Sequence, residues 1–181
     1  GEAIIDFALD HPEMVSALIP ISAVPGGFEM QGEPPASLME MMAAIEQGDL
    51  PRASELQLRI WVDGPFREPE QVDSLVRQHA AEMNRIPLAN RTWAVADAEP
   101  LDPLDPPAVK RLHELRVPAL IVAGALDDPE ILRAADWMAS ELEGTWKVII
   151  PGSAHLPNME KPREFNQAVL DFLGGLGAQP S

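Results

Sequence analysis

Cysteine is absent from the 181 residues, which excludes disulfides and thiol catalysis and removes the usual thiolate zinc clusters. Basic residues are scarce. Thirteen Lys+Arg stand against 29 Asp+Glu, a formal charge of −16. A surface this acidic repels phosphate backbones, and no basic cluster relieves it, so no nucleic-acid partner is expected. No apolar run approaches the ~18 residues that suggest a membrane span, and residues 1–20 hold no basic stretch of the kind that opens a signal peptide. The expectation is a cytoplasmic chain with no membrane partner. Metal and nucleotide signals are missing too: there is no H-E-x-x-H, and the pairs Gly26-Gly27 and Gly174-Gly175 lack a phosphate-loop pattern, so no cofactor is implied. What is present is a hydrophobic fraction of 46%, enough for one folded domain, or for one domain with an inserted lobe.

The chain reads as three stretches. In residues 1–27, Ala3, Ile4, Ile5, Phe7, Ala8 and Leu9 form a helix apolar almost all round, which suits burial on several sides. His11-Pro12 ends it, because a residue before proline is pushed out of the helical region. Ala17–Val24 is then a short apolar run, read as a buried parallel strand despite the missing N–H of Pro20. Residues 28–107 carry amphipathic helices instead. Leu38, Met39, Met41, Met42 and Ile45 mark one, closed by Gly48; the methionines are read as helix core. Leu56, Ile60 and Trp61 mark a second, ending before Asp63-Gly64-Pro65. Val72, Leu75, Val76, His79, Ala80 and Met83 mark a third, with His79 on its apolar face. Residues 97–107, rich in proline and acid, read as a linker.

Residues 108–181 alternate strands with helices. Val117–Ala123 is a buried strand, Asp128-Pro129 starts a helix, Trp146–Ile150 is a second strand, and Phe165, Val169, Phe172 and Leu173 lie on a last helix. Short connections between such elements mean a parallel sheet covered by helices. In such sheets functional groups gather at the carboxyl ends of the strands. Two of those ends carry titratable side chains: Asp127 and Asp128 after the first strand, His155 after the second. Neighbouring strands lie about 4.8 Å apart, so an acid on one loop can meet an imidazole on the next. A carboxylate that orients an imidazole base is two-thirds of a nucleophilic triad. Asp128, directly before Pro129, reads as a helix N-cap. Asp127 reads equally as an exposed loop aspartate or as the orienting acid. Of the histidines only His155 sits in a glycine-bearing loop at a strand end. No G-x-S-x-G occurs, and none of the serines lies in a strand–turn–helix setting.

These residues together resemble the α/β-hydrolase fold superfamily. Gly1–Val15, an apolar helix followed by His11-Pro12-Glu13, is similar to the helix that follows the family's nucleophile elbow. Val117–Asp127 resembles V-P-x-L-x-x-x-G-x-x-D, and Pro151–Phe165 resembles P-G-x-x-H-x-x-x-x-E-x-P-x-x-F. The resemblance implies Asp127 as triad acid and His155 as base, with Asp128 left as the cap. It implies the carboxyl-terminal portion of a member: the last three parallel strands with flanking helices (core at 1–27 and 108–181), and residues 28–107 as an inserted helical lid. The serine would lie three residues before Gly1, so the absence of an initiator Met is read as a cut just past the elbow. The implied activity is serine hydrolysis of a small carboxylic ester or lactone, loosely like enol-lactone hydrolases. The chain alone, without nucleophile or oxyanion donors, is expected to be inactive. Leu156, next to His155, and Trp61, at a lid-helix end and read first as core packing, are candidate substrate-pocket residues. The rival expectation is a non-catalytic, hydrolase-like protein that binds a ligand or partner.

Overall fold

A computed structural model describes residues 1–92 and 104–176, so the linker expected at 97–107 lies mostly outside the described residues. The chain divides into two compact units, Gly1–Gln31 with Pro103–Ser181, and Gly32–Asp102.

The first unit is built on β1 (Leu120–Gly124), every residue of which is buried. β2 (Trp146–Ile150) pairs parallel with it, from Leu120 opposite Trp146 to Gly124 opposite Ile150. On the other side of β1, where a strand is expected within 17–24, only two parallel bridges form, at Leu18 and Ile21. The cause is Pro20. Leu18 N–H reaches Pro118 O and Ser22 N–H reaches Val122 O, but Pro20 has no N–H to give the carbonyl between them.

Alternation along β1 divides the core. Ala119, Ile121 and Ala123 pack with α1 (Glu2–Asp10), α5 (Ala108–Arg111) and α6 (Pro129–Glu141). Leu120 and Val122 pack on the opposite face with Phe172 of α8 (Pro162–Leu176). In the chain the short α7 (Pro157–Glu160) follows β2 and precedes α8. Helices therefore cover both faces, and each large apolar side chain of β1 contributes roughly 1.5–3 kcal/mol by its burial. α1 departs from its sequence pattern. Ile5, Ala8 and Leu9 are buried, whereas Ile4 and Phe7 are exposed among the described residues.

In the second unit, α2 (Ser37–Gln47), α3 (Leu50–Leu58) and α4 (Ser74–Ala89) surround Met41, Ala44, Ala53, Leu56 and Leu88. Gly48 closes α2 at φ 74°, in the left-handed region that glycine enters without steric cost. Asp49 and Asp73 cap α3 and α4 by accepting the N–H groups of Arg52 and Leu75. Only Met41 of the three methionines is core; Met39 and Met42 are exposed.

α4 buries only part of the face that its apolar spacing suggests. Leu75, His79, Met83 and Ile86 point outward, while Ala80 and Leu88 are buried. The reason is ionic. Asp63, wholly buried at the end of a π-helical turn (Arg59–Asp63), accepts from Arg77 Nε at 2.9 Å and Nη2 at 3.2 Å. Arg77 Nη2 also reaches Glu55 at 2.8 Å, and Arg59 Nη1 reaches Asp63 at 3.4 Å. Burial alone would lower the proton affinity of Arg77, but Glu55 and Asp63 outweigh it and raise the pKa. An unpaired buried carboxylate is far costlier than an exposed methyl, so the ion cluster orients the helix.

Two outcomes are expected. Asp63→Ala, which leaves Arg77 with Glu55 as its carboxylate partner, should cost about 3 kcal/mol of stability by urea unfolding, and Asp63→Ala with Arg77→Met clearly less. On α1, burial raises the pKa of Asp6, helped by Glu2 and Asp10 at one turn either side. The folded state then holds that proton more tightly than the unfolded chain does. Its stabilising contribution is present below the ordinary carboxylate pKa and is lost as pH rises through the raised value. Asp6→Asn should therefore raise the melting temperature at pH 7, and the gain should vanish in acid.

Candidate active site

The site grows from two loops that close over the end of β1. The strand finishes at Gly124, and the loop after β2 passes directly across it. A Cβ at Gly124 would lie 2.0 Å from Ala154 O and 2.4 Å from Ser153 O. Glycine is thus required for closeness of backbone, since any side chain would collide with carbonyl oxygens. The two loops then bond to each other. Ala125 N–H donates to Ile150 O and Leu126 N–H to Ser153 O, both at 2.9 Å. Buried Ser153 donates from Oγ to Ile150 O at 3.1 Å. From the far side, Glu160 accepts the Ala154 N–H at 2.7 Å, so α7 clamps the residue just before His155.

This arrangement brings Asp127 and His155 together. The Nδ1 of His155 lies 3.2 Å from Asp127 Oδ1 and 3.1 Å from Oδ2. Asp127 is buried and His155 is partly exposed. Asp127 Oδ1 also accepts the backbone N–H of Asp128 at 2.8 Å, which holds the carboxylate in place. An ionised carboxylate against Nδ1 keeps the proton on that nitrogen, so Nε2 becomes the basic nitrogen of the neutral ring. Asp128 does another job. Its carboxylate accepts the Glu130 N–H at 2.8 Å and caps α6, with Pro129 at the first helical position.

The other candidates are placed as follows. Leu156, half-buried, directly follows His155 and precedes α7. Trp61 belongs to the Gly32–Asp102 unit, in the turn that ends at Asp63, and is partly exposed. His11 ends α1, and His79 and His113 are exposed. Among the described residues no group of three His, Asp or Glu could hold a metal ion, and no helix is long and apolar enough to cross a membrane. Sequence reasoning missed the clamping role of Glu160. The glutamate stands in the motif around His155, but its spacing alone does not show which N–H it takes.

Known proteins resemble this chain in sequence and in fold. Residues 10–168 match the sequence model of the alpha/beta hydrolase family. A pimeloyl-[acyl-carrier protein] methyl ester esterase of Yersinia enterocolitica is 31% identical over 170 residues, which are 91% of this chain and 62% of that protein. The chain thus spans less than two thirds of the relative's length. Among solved structures, a thermophilic esterase superposes with a TM-score of 0.66 at 20% identity, covering 98% of this chain and 64% of the other. The enol-lactonase from Burkholderia xenovorans LB400 gives 0.65 at 16% identity, covering 94% and 60%. At those identities the two structures speak to fold alone.

The crossing at Gly124 yields a sharp expectation. Gly124→Ala should destabilise the first unit by about 3 kcal/mol, at the top of the range for overpacking, because the obstacle is backbone. The readout is the denaturant midpoint, and a loss under about 0.5 kcal/mol would show that the loops part freely.

Proposed function

This chain belongs to the alpha/beta hydrolase family, and on that premise we propose that it is the carboxyl-terminal part of a serine hydrolase cleaving a small carboxylic ester or lactone. The observation that carries the reading is the Asp127 carboxylate set against His155 Nδ1 on adjoining loops. In the proposed reaction, His155 Nε2 takes the proton of a serine hydroxyl as its oxygen attacks the ester carbonyl. The tetrahedral intermediate collapses as His155 returns the proton to the leaving alkoxide. Water, deprotonated by the same nitrogen, then releases the acid from the acyl-enzyme. Asp127 holds the tautomer and stabilises the imidazolium.

The serine and the oxyanion donors are proposed to lie upstream of Gly1. Three facts support this: no G-x-S-x-G occurs in the 181 residues, the relative extends well beyond the matched part, and Ile4 and Phe7 of α1 stand exposed. The ester class is supported by the name of the 31% identical methyl ester esterase, and the lactone alternative by the resemblance of the residues around His155 to enol-lactone hydrolases. Residues 28–107 are proposed as the helical lid, on the ground that the regular elements in the described part of the second unit are all helices, and Trp61 and Leu156 are each proposed as substrate-pocket residues.

The test compares two proteins. The 181-residue chain should not turn over p-nitrophenyl esters, whereas the product of the full reading frame should. In that longer protein His155→Ala and Asp127→Asn should each lower kcat about 10,000-fold, the scale of triad lesions. Turnover by the short chain that depends on His155 would overturn the proposal. An upstream sequence without Ser, Cys or Asp at an elbow would favour a ligand-binding module instead.

A further inference from the structure

We propose that Ser22 is a positioning residue whose hydroxyl hydrogen-bonds the turn bearing the nucleophile and holds that turn against the Asp127–His155 pair. The inference rests on the serine hydrolase reading and deepens it. Ser22 ends the extended segment beside β1, and its N–H is fixed to Val122 O at 2.8 Å. Val122 lies two residues before Gly124, where the loops carrying Asp127 and His155 cross. Neighbouring segments are about 4.8 Å apart, so Ser22 lies beside the carboxyl-terminal part of the strand that leads into the Asp127 loop.

Two properties of Ser22 ask for a partner. Its Oγ is buried in a residue only 7% exposed, and no group among the described residues bonds it. A buried hydroxyl without a partner is costly. Its backbone also stands at φ 44°, in the left-handed region where a serine is strained and a glycine is not. Both penalties fall on one residue, and a hydrogen bond from its hydroxyl offsets them.

The position of Gly1 indicates where. A Cβ at Gly1 would lie 2.5 Å from the Cβ of Ala23, so the polypeptide entering α1 comes in directly against the 22–23 bend. Three residues span at most about 11 Å, which keeps a nucleophile three positions before Gly1 within reach of the bend. Asp6 Oδ1, Gln57 Oε1 and Thr145 Oγ1 are also buried without partners, but none of them lies at the carboxyl end of a segment paired with β1.

The test uses the product of the full reading frame. Ser22→Ala removes only the oxygen, and Ser22→Gly removes it while also relieving the left-handed backbone. Both should lower kcat for a p-nitrophenyl ester about tenfold, the worth of one net hydrogen bond, with KM changed less than about twofold. The melting temperature of Ser22→Gly should equal or exceed that of the parent. Loss of stability with unchanged kcat in both variants would overturn the inference by making Ser22 structural. A rise in KM at constant kcat would overturn it by placing the hydroxyl on the substrate. If the unsubstituted product hydrolyses no ester, the serine hydrolase reading falls and takes this inference with it. An active parent with two variants of equal kcat removes this inference alone.

Discussion

Everything at the site depends on two backbones passing within contact distance at Gly124. With no side chain there, carbonyl oxygens of residues 153 and 154 lie over the end of β1. The acid loop can then bond the base loop directly, through Leu126 and Ser153. A 3.1 Å pairing of carboxylate with imidazole follows from that crossing rather than from any attraction between the two side chains. Charge attraction at a part-exposed site is worth little by itself; geometry imposed by packed backbone supplies the precision.

The second unit is organised by a different physical term. The helix with the most regular apolar spacing turns part of it outward, with Leu75, His79 and Met83 exposed while Val72 and Ala80 are buried. The orientation of α4 follows a buried carboxylate that needs two arginines. One unit is thus arranged by close backbone packing and the other by the cost of leaving a charge unpaired.

Much of the first unit was legible in the residues. The continuous apolar run at 117–123 marks a strand because both faces of β1 are covered, and Asp128-Pro129 marks a helix start because its cap chemistry is local. The pairing of Asp127 with His155 was expected from adjoining strand ends. The rest depends on long-range contacts that spacing does not encode. Pro20 breaks a ladder that apolar content alone would complete. The outward face of α4 is decided by Asp63, eleven residues before the helix begins. Ser22 looks like any serine in sequence, and its left-handed backbone emerges only where the segment bends away from β1.

The mutual bonding of the two loops carries a consequence for fluctuations. Opening either loop breaks the same hydrogen bonds, so acid and base belong to one cooperative opening unit. Loss of those bonds separates the loop bearing Asp127 from the loop bearing His155. Amide protons of Ala125 and Leu126 report the lifetime of that assembly, and they do so in the absence of any substrate.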